Sequence, residues 1–401
     1  MTEPTLTDHI VIAGGGLAAQ RAIETLRRNA HEGPITVLCG EPLRPYDRPP
    51  LSKAVLAGEL DAADLTFRPD EWYAEKGVEL RLGRHAVGLE PDAHKVVTDD
   101  GSELAYDKLL IATGSEPRRF ELLDGRPNVL PLRTAGDSRE LGRMLTTGAR
   151  LVIVGAGFIG QEVAATARKL GCTVTMLEAM PQPLVGLLGE ELGGWFADLH
   201  RAEGVDVRCL TTVTDIVEGP DGRVDAVITG HGDQINCDAV VVGIGVVPAD
   251  GWLAGTDLGP GGVEIDAAGR TAVDDVFAAG DVARPFDERV GARVRSEHWE
   301  AAGRQGAAAA RAMLGLDVPM PPIASFWSDQ YGMRIQQLGY PHLADGQEED
   351  GDRDARDFSV TWTRGGEPVG GLLVGRPRGL PVLRQAVEQT FDNDRKETVT
   401  P

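Results

Sequence analysis

Short apolar runs recur along the chain, and two of them lead through a glycine-rich turn into a stretch of helical period. Ile10–Ala13 is the first run. Gly14-Gly15-Gly16-Leu17-Ala18-Ala19 is its turn, a helix is predicted over Gln20–Asn29, and Ile35–Leu38 reads as the next strand, closed by Glu41. The second begins at Leu151–Val154 and turns at Gly155-Ala156-Gly157-Phe158-Ile159-Gly160. A helix is predicted over Gln161–Leu170, and the strand Thr173–Leu177 ends at Glu178. Strand, turn, helix and strand, with an acid about twenty residues past the turn, is the pattern of a dinucleotide-binding unit. Its duplication is the internal symmetry of the chain.

Further strands are predicted at Glu79–Leu82, Lys95–Thr98, Lys108–Ala112, Val205–Cys209, Arg223–Thr229, Ala239–Val242 and Ala272–Ala278. The alanine-rich stretch Glu297–Leu314 is a helix by propensity. Between Glu41 and Lys53 four prolines preset the backbone and keep it out of a helix. Beyond Pro322 the pattern changes. Alternating runs at Met333–Leu338, Phe358–Thr363 and Val369–Val374 and a helix over Leu380–Phe391 make a separate α+β unit. The acidic tract Asp345–Asp354 is expected as a solvated hairpin tip, and Asn393–Pro401 as a frayed end. The fold class is therefore α/β: two Rossmann-like nucleotide-binding domains and a C-terminal α+β domain.

With 401 residues the chain has room for two or three cores. A net charge of −22 disfavours nucleic acid and anionic membrane as general partners. The longest apolar runs, such as Val240–Val247, are strand-sized, too short to cross a bilayer. Met1–His9 lacks the pattern of a signal peptide, so the expected location is cytoplasmic. Cys39, Cys172, Cys209 and Cys237 form no tight pair, which gives no metal or iron–sulfur site and leaves free thiols in a reducing compartment.

The turns carry the chemistry. Gly14 permits the tight bend and Gly16 lets backbone approach a pyrophosphate. Ala19, in place of a third glycine, still allows close helix–strand packing. The helix N-terminus then attracts phosphate, and Glu41 is placed to accept from a ribose diol. Gly155, Gly157 and Gly160 repeat the scheme in full. Glu178, followed by Ala179, binds a 2′-hydroxyl and repels a 2′-phosphate, favouring NADH over NADPH. Gly280-Asp281 follows a strand, where an aspartate can hold a polyol hydroxyl. A chain that holds two dinucleotides has one simple use for both, which is to pass electrons between them.

At this point the order of motifs resembles the pyridine-nucleotide-disulfide-oxidoreductase fold of glutathione-reductase type, an FAD domain interrupted by an NAD domain. Within it, Pro45-Tyr46-Asp47-Arg48-Pro49-Pro50-Leu51-Ser52-Lys53, Ala112-Thr113-Gly114, Glu297-His298-Trp299, Phe326-Trp327-Ser328-Asp329-Gln330 and Gly375-Arg376-Pro377-Arg378 resemble the NADH-dependent ferredoxin reductases. Those enzymes serve bacterial cytochrome P450s and Rieske-type dioxygenases. The resemblance covers nearly the whole chain. It implies an FAD-binding domain over 1–114 and 244–322, an NADH-binding domain over 115–243 and a C-terminal domain over 323–401.

The same resemblance implies residue roles. Gly14, Gly16, Leu17, Ala18 and Ala19 would hold the FAD pyrophosphate and Glu41 its ribose. Arg48, Ala86 and Arg133 would line the adenine and phosphate end, with Ala112, Thr113 and Gly114 beside the cofactor. Gly280 and Asp281 would hold the ribityl chain. Lys53 would approach the flavin ring and pair with Glu162. Glu297, His298 and Trp299 would open a helix aimed at the pyrimidine edge, with Trp299 and Trp327 flanking the ring. Gly155, Gly157, Phe158, Ile159, Gly160, Glu178, Gly243, Ile244 and Gly245 would hold NADH. Disulfide reductases of this fold carry a cysteine pair just after the first unit, where this chain has Arg48–Lys53.

The implied activity is hydride transfer from NADH to FAD, then single electrons to a [2Fe-2S] ferredoxin feeding a P450 or Rieske oxygenase. Reduction of rubredoxin, oxygen or nitrite on the same fold, and a non-enzymatic FAD-binding role, remain open alternatives. Arg293, Arg295, Arg304, Arg376, Arg378 and Arg384 are the candidate basic residues for docking an acidic ferredoxin.

Overall fold

The computed structural model describes residues 6–399; Met1–Thr5, Thr400 and Pro401 lie outside them, and with them part of the expected leader-free start and frayed end. The first apolar run forms β1 (Ile10–Ala13), fully buried and flanked on both sides by parallel strands. The helix α1 spans Leu17–Arg28 and β2 spans Ile35–Cys39. Two further parallel strands, Lys108–Ile111 and Val78–Leu82, flank this pair, and Val276–Ala278 joins beside Lys108–Ile111 from far along the chain. All five run parallel; four are buried on both faces and read as continuous apolar runs, whereas the edge strand Val78–Leu82 carries Glu79 and Arg81 and is partly exposed.

The second unit repeats this plan. Here β3 (Arg150–Val154) pairs in parallel with β4 (Thr173–Leu177) on one side and with Ala239–Val242 on the other, and α2 (Phe158–Lys169) connects the two. Asp206–Arg208 and Val129–Leu130 complete its sheet. In both sheets a central strand has neighbours reached by chain running in opposite directions. That topological switch opens a crevice at the carboxyl ends of the strands, where α/β proteins bind ligands.

Both connecting helices start three residues earlier than the period suggests, at Leu17 and Phe158. The reason is that Gly16 and Gly157 are themselves the N-cap residues, so the phosphate-binding turn and the first helical turn overlap. The predicted strand Ala272–Ala278 shrinks to Val276–Ala278, because Asp275 takes a left-handed φ of 60° and turns the chain first. Pattern reading passes over the helices Ala135–Met144 and Val185–Ala202 and the strands Ala86–Glu90 and Glu103–Ala105, which flank the predicted Lys95–Thr98 in a small antiparallel sheet.

The helix α3 (Trp299–Met313) packs on α1 closely enough that a Cβ at Gly306 would lie 2.1 Å from the carbonyl oxygen of Ala18. The C-terminal unit begins with β5 (Ser325–Gln330), which pairs antiparallel with Met333–Gly339. The strands Glu367–Val374, Asp357–Arg364 and Gly346–Asp352 follow in that spatial order. The acidic tract is thus not a hairpin tip but the outer strand Gly346–Asp352, exposed at every residue. Its carboxylates sit on a free sheet edge, where charge discourages pairing with another chain. The last helix runs from Leu380 to Val399, so the segment expected as frayed continues the helix that begins on Leu383, Val387 and Phe391 against the sheet.

His200, on the helix Val185–Ala202, is fully buried between α2 and the C-terminal unit. Its Nε2 meets Gln161 Oε1 at 3.2 Å and its Nδ1 meets the Tyr331 hydroxyl at 2.7 Å. Burial lowers its pKa to about 4. An unfolded histidine, near 6.5, takes up a proton that the folded one refuses. The stabilising contribution is therefore whole above pH 6.5 and is lost as pH falls toward 4. Between pH 7.5 and pH 5 the loss is about 2 kcal/mol. Thermal unfolding at the two pH values should show it, and His200→Gln should flatten the dependence; an unchanged slope would remove His200 from the account.

Candidate functional site

The two units and the C-terminal sheet converge on one cleft of about 500 Å³. Gly16 and Gly157 both line it. Neither helix N-terminus is capped by a side chain. A Cβ placed on either glycine would point into open space, with no heavy atom within 4 Å. Unsatisfied amides beside an empty hollow are what a pyrophosphate needs. Gly14 and Gly155 hold the turns behind them: φ is +115° and +102°, and a Cβ would come within 2.1 Å of Ala112 O and 2.4 Å of Gly243 O. The Ala112-Thr113-Gly114 and Gly243-Ile244-Gly245 stretches are thus the abutments of the two turns. Ala112, Gly114, Gly243 and Gly245 line the cleft, whereas Ile244 is turned outward and exposed. Thr113 Oγ1 donates to the Ala249 carbonyl at 2.7 Å.

The proline-rich loop ends in a short 3-10 turn, Pro49–Ser52, that presents Lys53. Two hydrogen bonds pin it: Thr166 Oγ1, on α2, donates to the Ser52 carbonyl, and Ser138 Oγ donates to the Leu51 carbonyl, both at 2.7 Å. Lys53 Nζ reaches Glu162 Oε2 at 2.6 Å. Glu162 is only 4% exposed and also accepts from Ser52 Oγ at 2.5 Å and from Ser328 Oγ at 2.6 Å. The expected Lys53–Glu162 pairing is present, with two hydroxyl donors that motif reading passes over.

Asp281 follows the strand Val276–Ala278 and is nearly buried. Its Oδ2 accepts from Ser115 Oγ at 2.8 Å and Arg133 Nη2 at 2.9 Å. Arg133 therefore stands beside Asp281. Glu41 is likewise occupied: Arg48 Nη2 donates to it at 2.7 Å and the Tyr46 hydroxyl at 2.8 Å. Burial pushes the Tyr46 phenol far above its ordinary pKa, so it stays a donor. Ala86 lies in the small antiparallel sheet, partly buried against the core that includes Val11 and Leu38, and is not among the cleft residues.

At the entrance to α3, Trp299 Nε1 donates to Asp47 Oδ1 at 2.7 Å, which anchors the indole to the proline-rich loop. Trp327 meets Trp299 edge-on, with centroids 5.7 Å apart and planes at 72°. Both line the cleft with Phe158, Leu17, Ala18, Gly280, Glu297 and His298. Burial raises the Glu297 pKa and lowers that of His298. The neutral His298 ring keeps a buried Nδ1 with no partner among the described residues.

Glu178 stands at the end of β4, outside this cleft. Its carboxylate accepts from the backbone N–H of Ala156 and of Met180, each at 2.9 Å. Its negative charge is therefore fixed beside the second turn. Ile159, half-exposed, and Gly160 complete that turn.

A larger cavity, about 1160 Å³, lies along the opposite side of α3. It holds neither glycine turn nor Lys53, and only Leu187 and His298 are common to both hollows. Five of the six candidate docking arginines are already paired with acids: Arg293 with Glu264, Arg295 with Glu297, Arg304 and Arg384 with Glu300, and Arg376 with Asp350 and Asp357. Surrounded this way they do not form a free basic patch.

Residues 8–306 match the family model described as pyridine nucleotide-disulphide oxidoreductase, and residues 325–401 the model described as reductase C-terminal. The chain belongs to the pyridine nucleotide-disulphide oxidoreductase family. It is 38% identical over 377 residues to the 5,5'-dehydrodivanillate O-demethylase ferredoxin reductase subunit of Sphingobium sp. (strain NBRC 103272 / SYK-6), covering 92% of this chain and 90% of that one. It is 37% identical to rhodocoxin reductase of Rhodococcus erythropolis over 96% of this chain and 92% of that one. Among solved structures it matches the reductase chain of the covalent putidaredoxin reductase–putidaredoxin complex with a TM-score of 0.91 at 32% identity, covering 95% and 93% of the two chains.

Despite the family's name, no described residue lining the cleft is a cysteine. Cys39, below the first turn, is buried, and burial raises its thiol to about 12. A thiol held protonated is a poor nucleophile. No helix among the described residues is long and apolar enough to cross a membrane.

Proposed function

We propose that this protein is an FAD-dependent NADH:ferredoxin oxidoreductase that feeds electrons to a cytochrome P450 or a Rieske oxygenase. One observation carries the reading: two uncapped helix N-termini, at Gly16 and Gly157, open into a single cleft that also holds the Lys53–Glu162 pair. The names of its relatives, ferredoxin reductase components and rhodocoxin reductase, support the acceptor. We assign FAD to residues 1–114 and 244–322, NADH to 115–243, and the closing wall of the cleft to 323–401. The free thiols support a cytoplasmic location.

Bound FAD supplies acceptance of a hydride and release of its two electrons one at a time. The protein's own groups orient and hold charge. The α1 amides and Gly16 would take the pyrophosphate, and the α2 amides and Gly157 that of NADH. Asp281, steadied by Arg133, would accept from a polyol hydroxyl. Lys53, fixed by Glu162, would offer a positive charge beside the ring, and the N-terminus of α3 a second one. Trp299, tethered to Asp47, and Trp327 would bound the ring edge. Hydride transfer between stacked rings needs no protein base, so His298, held neutral by burial, has a packing task.

Purified protein loaded with FAD, mixed with NADH in a stopped-flow instrument, should bleach and then reduce a [2Fe-2S] ferredoxin faster than rubredoxin or oxygen. Slow bleaching by NADH, or equal rates with all acceptors, would overturn the assignment.

A further inference from the structure

Glu162 is the point where three parts of the chain meet. It lies on α2, which opens at the second glycine turn. Oε2 faces the proline-rich loop and accepts from Ser52 and Lys53. Oε1 faces the C-terminal sheet, and among the described residues Ser328, on β5, is its one donor. Ser328 is fully buried. Its hydroxyl also accepts from Gln330 Nε2 at 3.1 Å. A carboxylate oxygen only accepts, so the Ser328 hydroxyl hydrogen points at Glu162 while its lone pair takes the Gln330 amide.

From this geometry we propose that Ser328 is a positioning residue for hydride transfer: it anchors Glu162 Oε1 and thereby keeps Oε2, and with it Lys53, in place at the cleft. The proposal rests on the reading that Lys53 faces the flavin. The physical argument is the cost of an unpaired oxygen. A buried carboxylate oxygen that loses its donor turns to find another, and hydrogen bonds to a charged group are the strong kind. Rotation of the Glu162 carboxylate that satisfies Oε1 draws Oε2 away from Lys53. The lysine then keeps only the Pro49 carbonyl at 3.1 Å and the Ser52 hydroxyl at 3.4 Å as acceptors, and on its long flexible, partly exposed stem the ammonium shifts away from its place beside Glu162. The C-terminal unit thus has a task inside the cleft, delivered through one hydroxyl.

The test uses FAD-loaded full-length protein. Ser328→Ala should slow flavin reduction by NADH about tenfold, a loss that corresponds to one charge-assisted hydrogen bond. NADH affinity and FAD content should stay at parent values. The flavin midpoint potential should become more negative, because a dispersed lysine charge stabilises the reduced ring less. In a Glu162→Gln background, Ser328→Ala should add less than about a twofold further loss, since the two act through one another. Ser328→Cys keeps the volume with a weaker donor and should fall between; it carries the same cycle if the alanine variant does not fold. Parent-like rate and potential in Ser328→Ala, or losses that multiply in the double variant, would overturn the proposal. The underlying reading is separable: if Lys53→Met and Glu162→Gln also leave rate and potential unchanged, the flavin-facing pair is wrong, whereas if they slow the reaction and Ser328→Ala does not, Ser328 alone is wrong.

Discussion

Gly16→Val should purify as a folded protein that has lost its yellow colour. Gly16 has an ordinary negative φ of −91°, and a Cβ there meets nothing within 4 Å, so the fold has room for a side chain. The room it fills is the hollow before the uncapped amides of α1. A valine there excludes a pyrophosphate and shields the amides that would bind it. FAD affinity should fall by at least about a hundredfold, or about 2.7 kcal/mol, measured by quenching of flavin fluorescence. Thermal stability of the apoprotein should move by less than about 1 kcal/mol, the usual cost of a poorer N-cap. Gly14→Ala is the contrast. At φ +115°, with its Cβ 2.1 Å from Ala112 O, it should destabilise the chain itself by about 2 kcal/mol or more, with or without flavin. If Gly16→Val binds FAD as the parent does, the first turn is not the pyrophosphate cradle.

The second large effect is on coenzyme choice. Glu178 is fixed at the end of β4 by two backbone donors, so its charge cannot swing aside to admit a 2′-phosphate. Replacing it with glutamine and Ala179 with arginine removes a repulsion and adds a charge suited to phosphate. Each change is worth about tenfold, so the ratio of kcat/KM for NADPH over NADH should rise about a hundredfold. Glutamine is the better replacement, because its carbonyl oxygen can keep one of the backbone hydrogen bonds that alanine would orphan. An unchanged ratio would remove Glu178 as the selector.

The physical origin of the site explains which parts were legible. The glycine turns lie within about thirty residues of sequence each, and the periods of strand and helix on either side are local properties of the chain. Lys53 and Glu162 can be named from motifs, yet their pairing depends on the Pro49–Ser52 turn docking on α2 through Thr166. Ser52, Ser328, Asp47 and Tyr46 stand inside the resembling motifs, but nothing in those motifs gives them a role. They matter only because a loop, a helix and a distant sheet bring them to Glu162, Trp299 and Glu41. The candidate docking arginines meet the same limit in reverse. Arginine count is visible in sequence, while the acids that pair with Arg293, Arg376 and Arg384 come from other strands and helices.

By itself the chain determined two parallel-sheet nucleotide units, their glycine cradles, the acids that end their second strands and the separate C-terminal unit, because buried strands and tight turns restrict residue type locally. Tertiary structure alone decided where those pieces face one another. It set both cradles on one cleft, closed Glu162 between three segments, placed Arg133 on Asp281 and made the acidic tract a sheet edge rather than a loop. The first three depend on contacts between residues a hundred or more positions apart, and hydrogen-bond partners at that separation leave no period in the sequence; the last depends on the pairing of Gly346–Asp352 with Asp357–Arg364.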